Sequence, residues 1–414
     1  MLPRTRQFAQ YGFSVYLFVL CGKEGKMEEI PCGRIYARID LDCIRSNMLE
    51  LKKNLPEQLE LCAVVKANGY GHGAVETAEA VSDLCTLYAA ATVEEGRELR
   101  RAGVKKPILV LGSVLPAEYE AALEASLSLC IFEEARAAEL VRTAKRLELT
   151  ARAHLAVDTG MGRLGLLPDE AGAALAMRLI QMPGLEIEGV FTHFAKADEA
   201  DKTAAMTQLA RFDAFRDMLR KKGCPASVKW HCANSAAILE GIGLSGYDFA
   251  RAGICMYGLY PSDETRQSAV LRPAMSLCAY LTYIKEVPAG TELSYGGIFR
   301  TGQRMRIGTV SCGYADGYPR ALSGKGTEVL VHGKRCPVLG RICMDQLMIG
   351  LDEVPDAKEG DVVTLLGRDS AEEISAEELA RLCGGFHYEL LCGISQRVPR
   401  VYIKENRIAA VKGV

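Results

Sequence analysis

Leu61-Cys62-Ala63-Val64-Val65-Lys66-Ala67-Asn68-Gly69-Tyr70-Gly71-His72-Gly73 joins a short apolar run to one lysine and a glycine-rich turn. A run this short and rich in valine reads as a strand buried on both faces. Lys66 then sits where a buried sheet meets a loop. Partial desolvation there disfavours the ammonium form and leaves a nucleophilic amine. Such an amine can form a Schiff base with an aldehyde cofactor. Taken alone, the stretch suits a surface lysine at a strand end equally well.

Outward from Lys66, short apolar runs alternate with longer amphipathic ones from Arg34 to about Pro261. The short runs fall at 61–66, 87–92, 107–112, 127–132, 152–158, 186–193, 227–232 and 247–251. Eight β/α repeats in about 230 residues is the arithmetic of a (β/α)8 TIM-type barrel. A doubly wound open sheet uses the same alternation. After about residue 266 strand-like runs dominate, at 275–284, 305–312, 328–332, 346–351, 361–366 and 398–403, with one helix near 375–383. Gly, Pro and Asp punctuate them. The expected organisation is an N-terminal extension over 1–33, a barrel over 34–265 and a mostly β C-terminal domain over 266–414.

Composition narrows the partners. Lys+Arg 50 against Asp+Glu 52 leaves a formal charge of −2, with no basic stripe to hold nucleic acid. The 15 cysteines lie scattered through apolar runs without a CxxC pair. That pattern suits free buried thiols in a reducing cytoplasm, not a disulfide framework or a metal site. Arg4 and Arg6 precede the apolar run Tyr11–Cys21, superficially a signal peptide. The run is short for a membrane span and lacks a small-x-small cleavage site after it. Met27 offers an alternative start, which makes 1–26 an upstream extension and keeps the chain cytoplasmic and off the membrane.

In a barrel, chemistry gathers at the carboxyl ends of the strands. Those ends carry Lys66, Asp158 with Gly160-Met-Gly-Arg163, His193, Asn234-Ser235, and Arg251 with Gly253-Ile254. Each could be a satisfied core or surface residue, but together they mark one face. The loops after strands 7 and 8 are the usual phosphate site of such barrels. Here they offer the Ser235 hydroxyl and backbone N–H groups near Gly253 and Ile254. A lysine for an aldehyde and a cradle for a phosphate together fit pyridoxal 5′-phosphate (PLP).

The sequence resembles the alanine racemase family, PLP enzymes of fold type III, from about Arg34 to Tyr402. The likeness rests on Ala63-Val-Val-Lys-Ala-Asn-Gly-Tyr-Gly-His-Gly73, Asp158-Thr-Gly-Met-Gly-Arg-Leu-Gly165, Thr192-His-Phe-Ala195, His231-Cys-Ala-Asn-Ser235 and Arg251-Ala-Gly-Ile254. It extends to Leu293-Ser-Tyr-Gly296, Gly313-Tyr-Ala-Asp-Gly317 and Gly340-Arg-Ile-Cys-Met-Asp345, all in the family's order.

The resemblance implies a two-base PLP racemase of alanine that supplies D-alanine for peptidoglycan. Lys66 would hold PLP and act as one base. Tyr295, from a partner subunit of a homodimer, would be the other. Racemisation needs one proton-transfer group on each face of a planar carbanion. A phenol is a weak base at neutral pH, so cations must lie near Tyr295. Arg251 would face the pyridine nitrogen and give it no proton. His193 would lie by the ring and bond to Arg251. Tyr70, Asn234, Ser235, Gly253 and Ile254 would hold the cofactor on its phosphate side. Arg163 would contact the cofactor phenolate and, with the partner's Met344 N–H, the substrate carboxylate. Tyr314, Arg320 and Arg341 would line the route into the site.

Two positions depart from the pattern. Some members carry a carbamylated lysine where this chain has Ala156, so something else must orient Arg163, such as a bound anion. Many members have a tyrosine where this chain has Gln396. That change admits a serine or broad-specificity racemase as an alternative, because a hydroxymethyl side chain could be accommodated. A non-catalytic PLP carrier would need neither Tyr295 nor a second domain. A PLP decarboxylase would profit from a protonated ring nitrogen, which Arg251 opposes.

Overall fold

A computed structural model describes residues 18–20, 27–29 and 32–413. The reading of 1–26 as an upstream extension falls almost wholly outside the described residues. Two compact units emerge: 39–275 with 391–393, and 276–390 with 394–413 and the segment before Ile39.

The first unit is a barrel of eight parallel strands: β1 (Glu60–Val64), β2 (Leu87–Ala90), β3 (Ile108–Ser113), β4 (Ser128–Ile131), β5 (Ala151–Ala156), β6 (Leu185–Phe191), β7 (Lys229–His231) and β8 (Phe249–Ala252). Each strand pairs with the next in sequence from β1 to β7, and β8 pairs back onto β1. Closure between β7 and β8 comes from Asp248 N–H to the Trp230 carbonyl (2.9 Å) and Arg251 N–H to the Ala233 carbonyl (3.0 Å). This sequential, closed order excludes the open doubly wound sheet. β2, β4 and β8 are buried along their whole length, and they read as apolar runs apart from Ser128 in β4 and Arg251 in β8.

Helices follow the strands and bury one face each. The helix Leu41–Lys53 shows why such segments fold so. Asp40 caps it by accepting from Cys43 N–H, and Leu41, Ile44, Met48 and Leu51 form its buried stripe. Buried Asn47 on the same face is satisfied by Met256 O, Arg272 O and Arg272 N.

The second unit is built on a ten-stranded sheet whose recorded pairings are antiparallel. Strand Met275–Val287 pairs through 277–280 with Val362–Asp369 and through 281–287 with Met305–Val310, bulging at both changes of register. That shared strand closes six of the ten into a ring. Strand Ile35–Asp40 lies in this sheet between 275–287 and 400–404. The alternation of runs places the chain from residue 34 in the barrel, and the structure moves Ile35–Asp40 into this second sheet. Non-local pairing of this kind leaves no trace in local sequence.

Strands 334–339 and 407–412 escaped the pattern search. Both are second arms of hairpins whose two turn residues have positive φ: His332 and Gly333, and Glu405 and Asn406. That is the twist-compatible turn geometry, carried here by residues other than the common Asn-Gly pair.

Candidate active site

β1 ends at Val64, and Val65 N–H still bonds the Ala89 carbonyl (2.9 Å). Lys66 therefore leaves the sheet at its carboxyl rim. The next four residues, Ala67, Asn68, Gly69 and Tyr70, all have φ between 50° and 61°. Consecutive left-handed residues cost roughly 1–2 kcal/mol each for non-glycines. The surroundings hold the turn in place. Ala67 N–H donates to Glu95 Oε1 (2.7 Å), Ala74 N–H to Asn68 Oδ1 (2.9 Å), and Gly69 N–H to Val65 O (2.8 Å). Glu95 also accepts from Ala91 N–H and closes a capping box with Thr92. His72 Nδ1 lies 3.0 Å from both Gly69 O and Tyr70 O, so Nδ1 carries the proton there. The Tyr70 and His72 rings pack on Tyr257, whose hydroxyl donates to Val64 O.

The turn carries Tyr70 to the loop after the neighbouring strand β8. A Cβ at Gly253 would lie 2.8 Å from the Tyr70 hydroxyl oxygen and 3.3 Å from Ser235 Oγ. Gly253 N–H donates to Ser235 Oγ at 2.9 Å. A tyrosine hydroxyl, a serine hydroxyl and a glycine backbone thus meet in one concave spot. Burial raises the Tyr70 phenol, which stays protonated as a donor. Asn234 uses its amide within the protein: Oδ1 accepts from Ala237 N–H and Nδ2 donates to Phe194 O. Its contribution is to cap the helix that starts at Ser235.

Lys66 is half-buried and lines a cavity of about 240 Å³ with Ala156, Arg163, Phe191, Thr192 and His193. Burial first, and then the positive Arg163, lowers the Lys66 amine below its usual value, while Glu95 opposes the shift. Asp158 shapes the loop carrying Arg163 by accepting from Gly160 N–H and Gly162 N–H, both at 3.0 Å. Ala156 lies in a cluster with Cys130 and Phe191. Arg163 itself is exposed.

Arg251 is 3% exposed yet meets no carboxylate among the described residues. Its guanidinium donates to Thr192 O (2.8 Å), Cys232 O (3.0 Å), His231 Nδ1 (2.9 Å) and His193 Nδ1 (3.3 Å). Burial and this cation hold His193 well below the usual histidine value, so its ring is neutral.

The second unit gathers the remaining candidates on one loop cluster. Tyr295 is 65% exposed and follows Ser294, whose hydroxyl donates to Arg341 O. A Cβ at Gly296 would come within 2.9 Å of Arg341 Nη1. Tyr314 N–H donates to Cys343 O and Ala315 N–H to Met344 O, each at 3.0 Å. Ser323 ties the turn holding Arg320 to Ile342, through Ile342 N–H to Ser323 Oγ and the serine hydroxyl to Arg320 O. Tyr295, Tyr314, Arg320, Arg341 and Met344 therefore share one rim.

Residues 39–261 match the model of the alanine racemase N-terminal domain, and 274–402 that of its C-terminal domain. The chain belongs to the alanine racemase family. An alanine racemase of Desulforamulus reducens is 44% identical over 371 residues, covering 89% of this chain and 99% of that protein. One from Methanococcus maripaludis is 40% identical over 375 residues, covering 89% and 98%. Among solved structures, the alanine racemase of Clostridium difficile superposes with a TM-score of 0.89 at 37% identity, covering 93% of this chain and 99% of that one. That of Bacillus anthracis, solved with bound L-Ala-P, gives 0.86 at 38% identity, covering 93% and 99%.

Within this family fold, several supporting residues were not singled out from sequence. Glu95 pins the left-handed turn. Asp316, with a fully buried side chain, receives both Arg34 nitrogens (2.7 and 2.6 Å), Arg397 Nε (3.0 Å) and Gly313 N–H (2.9 Å). It braces the turn that presents Tyr314. The Gly313–Gly317 motif held that signal, because an acid between two glycines is a turn anchor. His154, His231 and Glu188 lie inside the barrel, and only strand register could have brought them together.

Proposed function

We propose that this chain is a PLP-dependent alanine racemase that interconverts L- and D-alanine. One observation carries the reading. A half-buried lysine of lowered basicity shares a barrel mouth with a hydroxyl-and-backbone cradle and with an arginine that has only neutral acceptors. The residues present fit the cofactor. A Cβ at Gly253 would meet the Tyr70 hydroxyl at 2.8 Å, so the glycine lets that hydroxyl, Ser235 Oγ and the loop backbone gather where a phosphate would bind.

When bound, PLP supplies the electron sink that makes the α-hydrogen of an amino acid acidic. Lys66 holds the cofactor and moves a proton at its Nζ. Tyr70, Ser235, Gly253 and Ile254 hold the phosphate. Asn234 places Ser235. His193 and Arg251 would face the ring, and Arg251 would leave its nitrogen without a proton because a guanidinium stays charged. Arg163 orients the substrate carboxylate. Tyr295 moves the proton on the opposite face. Its 65% exposure suits a residue that serves a neighbouring chain, with active sites shared across a homodimer. Met344 N–H, on the same rim, reaches the carboxylate, and Tyr314, Arg320 and Arg341 guard access. The enzyme acts in the cytoplasm and supplies D-alanine for peptidoglycan.

The test is racemisation of L- and D-alanine by the purified protein with and without added PLP. Equal equilibration from both directions with a bound PLP chromophore is the expected outcome. A protein that binds PLP but leaves both enantiomers unchanged would sink the assignment.

A further inference from the structure

Arg251 is the start of a line of side chains that crosses the barrel interior. Its Nη1 lies 2.9 Å from His231 Nδ1. His231 Nε2 lies 3.0 Å from His154 Nδ1. His154 Nε2 lies 3.8 Å from Glu188 Oε2, which also accepts the Ser128 hydroxyl. Arg152 Nε stands 3.8 Å from the other Glu188 oxygen. Ser128 is the first residue of β4 and Arg152 the second of β5, so this end of the line lies toward the amino-terminal mouth. Lys66 and Arg163 belong to the other mouth.

The direction of the two hydrogen bonds in this line follows from its first member. A guanidinium can only donate. His231 Nδ1 must therefore be a lone pair, and its proton sits on Nε2. That proton points at His154 Nδ1, which must in turn be a lone pair. The His154 proton then sits on Nε2 and faces the Glu188 carboxylate. Protonating either ring would set an N–H against an N–H and add a cation beside Arg251. Burial and Arg251 accordingly hold His231 well below the usual histidine range and His154 down to about 3.

The chain is built to keep this arrangement. His231 is sandwiched between Phe249 (4.1 Å, 29°) and Phe191 (5.1 Å, 14°). A Cβ at Gly189 would lie 2.5 Å from His154 Nδ1, so only glycine leaves room for that ring. The β5–β6 register shifts between Ala153 and His154, which makes Glu188 an extra residue on β6 and aims it at the line. Charged groups facing the line are Arg251, Arg152 and Glu186, with Arg163 beyond Arg251.

We propose that His231, His154 and Glu188 are positioning residues that lock Arg251 through a one-directional line of two hydrogen bonds, which ends on His154 with its Nε2 side 3.8 Å from the Glu188 carboxylate. The line supplies the buried guanidinium with a polarised neutral acceptor. Arg251 is thereby held toward the ring nitrogen of the cofactor without a carboxylate in contact that would draw it away. This functional half rests on the PLP reading given above.

The experiment is two-bond 15N–1H correlation on the full chain labelled at histidine nitrogen, with His154 and His231 assigned by the His154→Gln and His231→Asn variants. Both rings are expected as the neutral Nε2–H form from pH 5 to 9, with or without PLP. Removing the terminal acceptor in Glu188→Leu is expected to mix the His154 tautomers and to shift the His231 nitrogens, although Glu188 and His231 do not touch. Glu188→Gln, which keeps an acceptor, is expected to restore the wild-type pattern. In the PLP-loaded enzyme, Glu188→Leu should lower kcat about threefold to tenfold, the scale of one hydrogen bond, at unchanged cofactor content. An Nδ1–H or charged His231 in the wild type, or unmoved His231 nitrogens in Glu188→Leu, would overturn the line and leave the racemase reading standing. If Glu188→Leu does not fold, the wild-type spectrum and Ser128→Ala, with a smaller shift in the same sense, decide the matter. A wild type with the expected tautomers and bound PLP but no racemisation would overturn the functional half instead.

Discussion

The barrel mouth and the rim of the second unit treat their key residues in opposite ways. Lys66 is half-buried, its amine pushed down by burial and by Arg163, and its turn is pinned by Glu95, Asn68 and Tyr257. Tyr295 is 65% exposed on a short loop turn. The barrel site brings its own electrostatics and its own cradle. The rim has rigid backbone, fixed by Asp316, Ser294 and Ser323, but presents its side chains outward. Burial thus fixes the lysine and its electrostatics within one unit, whereas the tyrosine on the rim is held only through its backbone and left open to solvent.

The sharpest way to break this contrast is at Lys66. Lys66→Ala should abolish the bound PLP chromophore and lower racemisation by about 10³-fold or more. A retained chromophore, read by absorbance of the dialysed protein, would remove the lysine from its role. Next comes complementation. Lys66→Ala and Tyr295→Phe chains should each be inactive alone, and refolding an equal mixture should return about a quarter of wild-type activity, because half the dimers hold one intact shared site. No recovery despite mixed dimers would place both bases in one chain.

The cradle offers a smaller effect. Gly253→Ala puts a methyl 2.8 Å from the Tyr70 hydroxyl oxygen and should weaken PLP binding by about tenfold, measured by titrating the apoenzyme. Unchanged affinity would move the phosphate elsewhere.

Acid should expose the buried barrel line. His154 is neutral when folded but titrates near 6.5 when unfolded, and its folded value is about 3. The unfolded chain therefore binds protons first, and stability falls as pH drops from about 6.5 toward 3. The slope is about 1.4 kcal/mol per pH unit for each such ring. Urea midpoints between pH 7 and 5 should show it, and His154→Gln should remove one proton's share. The smallest expected change is at Gln396, which is exposed in the second unit. Gln396→Tyr should raise the kcat/KM ratio of alanine over serine by about tenfold or less, and an unmoved ratio would clear Gln396 of any part in specificity.

Much of the barrel was legible because strands buried on both faces read as plain apolar runs. The strand Ile35–Asp40 was misplaced because its partners lie hundreds of residues away. The hairpin arms at 334–339 and 407–412 were missed because their turns use His332-Gly333 and Glu405-Asn406. Asn234, expected on the cofactor's phosphate side, caps the helix that starts at Ser235, a role that its position before Ser235 also allows.

The sequence by itself determined the eight-strand repeat, the lysine at the end of β1 and the glycines and serine after β7 and β8. Those are local properties: runs of apolar residues, a charge where a run stops, and residues that permit a close backbone. Only the tertiary structure decided that Tyr70 returns to Gly253, that Asp316 braces the rim, and that Ser128, Glu188, His154 and His231 line up behind Arg251. Parallel strands bring residues together by register and closure, and both are set when the sheet twists shut.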